Sequence, residues 1–238
     1  MANQNYKTYY RRNLPHYQPL GYSYFVTFRL AESLPISVIK KLKEEREREL
    51  EEISNIKGLK NKSEKYYKSQ ENYFTKFDGL LDKNKSGPDW LKNEKVAEIV
   101  KEAIHNKDEI EYDLIAYTIM PNHVHIAFTP IVDRDSSRSL KDNLNNISAN
   151  DINVVQQKKN YLVTEILRKL KGSTSRECNK FLNRTGSFWQ HESYDHLIRN
   201  SKELMKIVNY ILNNPKKANL INNGKVWKWS YYNPKYLI

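Results

Sequence analysis

The alternation of apolar and polar positions divides the chain into elements of two periods. Tyr22 to Leu30, YSYFVTFRL, is dense in aromatic and β-branched residues and predicts a buried strand. After Pro35, the residues Val38, Ile39, Leu42 and Leu50 supply sparse apolar positions of a helix. Acid and base alternate from Lys40 to Glu52, the pattern of a solvated helix with i,i+4 ion pairs. Residues 53–88 are polar and rich in Lys, Asn and Ser, so the 40–90 region reads as a charged, helical insertion at the periphery. Val96, Ile99, Val100, Ala103 and Ile104 recur at helical spacing. Tyr112–Met120 and His123–Thr129 read as strands joined at Pro121-Asn122, hence an antiparallel hairpin. Residues 133–157 read as a polar loop or weak helix, and Tyr161–Leu182 as a basic helix. Phe188–Arg199 is strand-like. Asn200 with Glu203 forms a capping box for a helix whose stripe is Leu204, Ile207, Val208, Ile211 and Leu212, and Pro215 is expected to end it. The fold class is α+β: one domain over 1–238, an antiparallel sheet of four or five strands with helices packed on it, and a peripheral insertion.

Composition changes the picture chiefly through charge. The chain has 238 residues, of which 39% are hydrophobic, enough for a packed core and too many for wholesale disorder. The net charge is +12, and residues 158–238 hold sixteen Lys/Arg against five Asp/Glu. Almost the whole surplus therefore lies in the C-terminal third, where a polyanion is expected to bind. A single cysteine, Cys178, excludes a disulfide framework and fits a reducing compartment. No apolar run reaches the ~18–20 residues of a membrane span, and the first residues have no signal-peptide core. A cytoplasmic, nucleoid-associated protein without a membrane partner is expected.

The sharpest chemical signal is His123-Val124-His125. In a strand, residues i and i+2 share a face, so both imidazoles reach one ion while Val124 points to the packed side. Two neutral imidazoles bind a divalent metal and leave positions open for substrate oxygens. Taken by itself the pair fits hydrogen-bonded histidines equally well. The second signal is on the last helix, where Tyr210 and Asn214 are one turn apart and Tyr210 falls beside the apolar stripe. A phenol of ordinary pKa ~10 needs a cationic or metal-organised site to attack phosphorus. Tyr210 is also one of 17 tyrosines and fits a half-buried helix edge.

The segments IMPNHVHIAF, FWQ…YDHLIR and NYILNNPKKANL, with YYRRNLPHYQ before the first strand, occur in an order that resembles the single-tyrosine HUH transposases. Within them the chain is most similar to the REP-associated tyrosine transposases. The likeness covers residues 9–30, 112–130 and 161–222, and the chain departs from the pattern in a longer 40–90 region and a longer 133–157 stretch. It implies an HUH, ferredoxin-like sheet with helices on one side and the tyrosine helix across the metal. His123 and His125 are implied as metal ligands, Tyr210 as the nucleophile, and Asn214 as the polar residue completing the metal shell. His196 is a further candidate ligand, and Tyr194 of the YDH segment is a rival nucleophile. Arg11, Arg12, Arg168, Lys169, Lys171 and Arg199 are candidates for contacts to DNA, and Trp189, Trp227 and Trp229 for base stacking or core packing. The implied cofactor is Mg2+ or Mn2+, and the partner single-stranded DNA with a REP-like hairpin, bound by a monomer or homodimer. The implied reaction nicks and rejoins DNA through a 5′-phosphotyrosine. A DNA-binding regulator that keeps the fold without cutting, and a relaxase or replication-initiation nickase, are the alternative readings. No GxxxxGK[ST] motif accompanies the set, which speaks against a fused helicase.

Overall fold

The computed structural model describes residues 9–11, 15–56, 59–83, 87–131, 161–222 and 225–236, with side chains from residue 18 onward except 59–61 and 63. The 133–157 stretch and Arg12 lie outside the described residues. Strand β1 (Tyr9–Arg11) pairs with β2 (Pro15–Tyr17) in a small separate ribbon. The main sheet is antiparallel and five-stranded, built from β3 (Ser23–Arg29), β4 (Tyr112–Ile119), β5 (His123–Pro130), β6 (Tyr194–Ile198) and β7 (Ser230–Tyr232) in the order β6-β3-β5-β4-β7. The β4–β5 hairpin closes where the Met120 N–H donates to the His123 carbonyl at 2.8 Å. Alternation along β3 and β5 sends Tyr24, Val26, Phe28, Val124, Ile126 and Phe128 to one face, and Phe25, Thr27, Arg29, His123, His125 and Ala127 to the other.

Helices cover both faces. On the first, α3 (Glu94–His105) and the later basic helix α4 (Leu162–Phe181) bury Val96, Val100, Ile104, Ile166 and Leu170 against the apolar residues of the sheet. Asn93 caps α3 by accepting from the Lys95 and Val96 N–H groups. Cys178 is buried there, consistent with a small interior residue. Trp189 and Trp229 are buried in the same core, with Trp227 packed at its edge.

On the second face lies α5 (Ser201–Lys217), where Asn200 accepts from the Glu203 N–H at 2.9 Å. The Glu203 carboxylate reaches back to the Arg199 N–H at 2.8 Å, one residue earlier than a standard capping box. Pro215 does not end this helix, which runs to Lys217. The missing N–H frees only the carbonyl four residues back. The turn continues through the Ala218 N–H to Asn214 and the Leu220 N–H to Pro215.

The 40–90 region differs most from a peripheral polar segment. It forms α1 (Ile36–Ser54) and α2 (Leu59–Lys83), which pack on each other, and α2 lies over the histidine-bearing face. Polarity along α2 is real but one-sided, for Phe74, Asp78 and Leu81 turn inward. Both ends of this arm meet at one root, where a Cβ on Gly87 would stand 2.9 Å from the Ser33 backbone. No helix among the described residues is long and apolar enough to cross a membrane.

Candidate metal and nucleophile site

His123 lies opposite Arg29 and His125 opposite Thr27 in the β3–β5 register, so their imidazoles stand together at the centre of the second face. Each ring is held from behind. The Asn122 amide donates to the Leu81 carbonyl at 2.9 Å, which leaves its oxygen to accept from His123 Nδ1 at 2.6 Å. His125 Nδ1 is 2.7 Å from Thr27 Oγ1. A proton fixed on His123 Nδ1 leaves Nε2 with a free lone pair, and that atom lies 3.0 Å from His125 Nε2. Burial pushes the His123 imidazole down to about 3, helped by His125 and opposed by Asp78. His123 is therefore neutral at ordinary pH, the state a metal requires.

The third group comes from α2. Asp78 Oδ1 lies 3.2 Å from His125 Nε2 and 3.7 Å from His123 Nε2, and all three side chains are buried. Asp78 Oδ2 accepts from the Tyr210 hydroxyl and, at 3.2 Å, from the Asn214 amide. Burial pushes the Asp78 carboxyl up, but the electrostatic pull of nearby His125, with His123 and the Asn214 amide, brings it down to about 2. One turn later Asp82 is pushed up to about 6, by burial first and then by the Asp78 charge. A metal fits this set on three counts. The Nε2 atoms converge with a carboxylate within 4.8 Å, and Asp78 Oδ1, Asn214 Oδ1 and Asp82 Oδ1 are buried without hydrogen-bond partners. Two carboxylates, Asp78 and Asp82, accumulate beside the neutral imidazole of His123. Such a two-histidine, one-carboxylate set can hold a divalent cation with positions left open.

Tyr210 packs among Phe25, Phe74 and His125, at centroid distances of 5.9, 5.7 and 5.5 Å, with Lys217 Nζ 5.0 Å from its ring centre. Its ring is partly open to a groove of about 790 Å3 between α2 and α5, which Tyr67, Phe74, Arg199, Lys202 and Lys206 also line. Tyr194 borders the same groove but is buried, stacked 4.5 Å from Phe74, and burial raises its phenol.

The structure does not bring His196 to this group. The residue shares the sheet face, yet its Nε2 pairs with Glu203 at 2.8 Å, and the Asp78–His123–His125 group does not include it. The Glu203 carboxyl, which burial alone would raise, is drawn down to about 2 by hydrogen bonds from His196, Tyr67 and the Arg199 N–H. Arg199 itself lies over the Tyr67 ring at 4.2 Å. The other basic candidates sit elsewhere. Arg168 pairs with Glu165, Lys169 lies 3.3 Å from Glu111, and Lys171 donates to the Gln190 and His191 carbonyls and to Ser193. Arg168 and Lys171 line a separate cleft of about 320 Å3 beside Trp189. Arg11 is in β1, with its side chain outside the described residues.

Asp78 escapes a reading of the sequence made for motifs. Its one signal is periodic: Tyr67, Phe74 and Leu81 recur every seven residues, and position 78 carries a carboxylate inside that stripe.

No family model matches the chain. Over 126 residues it is 27% identical to a provisionally named REP-associated tyrosine transposase of Haemophilus influenzae, covering 51% of this chain and 59% of that protein. The chain thus spans less than two thirds of that relative's length. A solved structure of a REP-associated tyrosine transposase bound to a REP hairpin matches with a TM-score of 0.48 and 16% identity, over 93% of this chain and 80% of that one. The chain is similar to a REP-associated tyrosine transposase over about half of its length.

Proposed function

We propose that the chain is a metal-dependent transesterase for single-stranded DNA, which nicks and rejoins at hairpin-flanked sites through a 5′-phosphotyrosine. The observation that carries this reading is convergence. The Tyr210 hydroxyl and the two imidazoles come from different elements, yet they meet at the single carboxylate of Asp78. The similarity to a named tyrosine transposase supports the same class.

In the proposed reaction Tyr210 Oη attacks the scissile phosphorus. The new bond joins the tyrosine oxygen to the 5′ phosphate while the phenol proton leaves through Asp78 Oδ2, to which that hydroxyl donates. The bond to the 3′ oxygen breaks, and that oxygen takes up a proton and leaves as a hydroxyl. Resealing is the reverse step with a new 3′ hydroxyl, so the phosphodiester energy is conserved in the adduct. His123 and His125, held by Asn122 and Thr27, are the residues that would hold a Mg2+ or Mn2+ ion beside Tyr210, with Asn214 and Asp78 adjacent. Such an ion supplies polarisation of the non-bridging phosphate oxygens. Phe25 and Phe74 fix the Tyr210 ring between them. The groove beside it offers aromatic faces together with Arg199, Lys202 and Lys206, the combination that holds an unpaired strand.

The test is a denaturing gel of the protein incubated with labelled hairpin DNA and Mn2+. A covalent adduct mapping to Tyr210 is expected. Tight hairpin binding with no adduct under any divalent metal would favour a regulator that binds without cutting. An adduct on Tyr194 would move the nucleophile.

A further inference from the structure

The α1–α2 arm has its root near Ser33 and Gly87 and reaches the site with two carboxylates, Asp78 and Asp82. Its root lies where Gly87 touches Ser33, next to Glu32, whose backbone takes the left-handed φ of 61°. Much of its remaining cohesion is internal, as in the Arg46 guanidinium over Tyr73 at 4.5 Å and the Lys76–Glu45 pair at 3.3 Å. Toward the sheet it offers the Phe74 ring, the Leu81 carbonyl and Asp78, with Tyr67 reaching Glu203 on α5.

Asp78 is the anomaly among these contacts. An apolar side chain at its position would continue the stripe of Tyr67, Phe74 and Leu81. Instead a carboxylate is buried against two imidazoles, and its Oδ1 has no hydrogen-bond donor although His125 Nε2 is 3.2 Å away. A second buried carboxylate oxygen, on Asp82, is likewise without a partner one turn along. Such an arrangement is costly unless a cation joins the carboxylate to the lone pairs it faces.

We propose that a divalent cation at this site latches the α1–α2 arm onto the sheet, with Asp78 as the ligand that the arm contributes. This rests on the metal site of the proposed function and extends it from chemistry to closure. Two ligands belong to strand β5 and the third to the arm, so cation binding and arm closure are one event. Closure also sets the second wall of the Tyr210 groove, because Tyr67, Phe74 and Thr75 come from α2. By linkage, anything that favours the closed arm tightens the metal, and the reverse.

The experiment measures Mn2+ affinity by calorimetry, and amide hydrogen exchange over residues 64–83 with Mn2+ or with a chelator. Asp78→Asn keeps the shape and an oxygen to accept from Tyr210. Mn2+ is expected to bind it at least about tenfold more weakly, and to slow exchange over 64–83 in the unaltered chain but not in this variant. Asp82→Asn, which removes a nearby charge, is expected to weaken Mn2+ less and to keep the metal-dependent protection. Unchanged Mn2+ affinity in Asp78→Asn, with binding lost in His125→Ala, would overturn the latch and leave the proposed function standing. Equal exchange with and without Mn2+ in a chain that binds the ion would also overturn it. Failure of the unaltered chain to bind Mn2+ would remove the latch and the metal of the proposed function together.

Discussion

On one face of the sheet Tyr24, Val26, Phe28, Val124, Ile126 and Phe128 meet Val96, Val100, Ile104, Ile166 and Leu170, a layer of apolar side chains. On the other, residues from the same two strands place Thr27, Arg29, His123 and His125 under α2 and α5, buried just as deeply. Strand alternation alone produces this split, because neighbouring residues point to opposite faces. The first face follows the ordinary rule of a core. The second breaks it, with a neutral histidine, two carboxylates with unpartnered oxygens, and an arginine that burial pushes down to about 10. Such violations persist where they serve a site and are supported by the rest of the fold. The apolar core and the proposed chemistry therefore lie on opposite sides of one sheet.

The largest expected effect falls on the second face. Tyr210→Phe keeps the ring between Phe25 and Phe74 and removes the oxygen proposed to attack, so the covalent DNA adduct should fall below detection. Hairpin affinity and melting temperature should stay near those of the unaltered chain. Tyr194→Phe should keep the adduct, and mass spectrometry of the trapped peptide reads out which tyrosine is joined.

Next in size, His123→Ala or His125→Ala should lower metal-dependent cleavage by roughly 100-fold or more while hairpin binding remains. Undiminished cleavage under limiting Mn2+ would show that the buried histidines are core residues only, and the contrast between faces would collapse.

The first face should answer in stability. Phe128→Ala is expected to cost ~3–5 kcal/mol, read by denaturant unfolding. Adduct formation per folded molecule should hold at temperatures well below the melting point. A variant that stayed folded but lost adduct formation would show that the two faces are coupled more tightly than the alternation implies.

The smallest effect concerns acid. The Glu203 carboxyl is drawn from 4.5 to about 2 on folding, with His196, Tyr67 and the Arg199 N–H outweighing burial. A depressed carboxylate adds stability that is present above the unfolded value and lost as pH falls through the folded one. Glu203→Gln should therefore flatten the loss of stability between about pH 4.5 and 2, read by denaturant unfolding at each pH. An unchanged pH dependence would show that these hydrogen bonds do not hold the carboxyl down.

Several features were legible before any coordinates. Strand Tyr22–Leu30, the hairpin around Pro121-Asn122 and the helix after Asn200 follow from short-range pattern and turn chemistry. The common face of His123 and His125 needs only the pleat. The spacing of Tyr210 and Asn214 needs only the helical repeat. Pro215 was misjudged because its local penalty is a single missing donor near a helix end, which a buried turn tolerates. Strand β7 was missed because three residues, Ser230–Tyr232, carry too little periodicity to mark an edge.

What the sequence by itself determined is thus the set of elements and the residue types that each face presents, since these depend on neighbours a few positions apart. Only the tertiary structure decided that the polar arm covers the histidine face instead of standing off it. Phe74, Asp78 and Leu81 are few among many charged residues, and their inward turn is stabilised by partners about forty to a hundred and thirty positions away in sequence: Phe25, Asn122, His125 and Tyr210. Contacts of that separation leave almost no trace in local pattern, because the free energy that selects them comes from burial against a surface the arm does not itself encode. The carboxylate at the centre of the site, the most consequential residue of the arm, became visible only there.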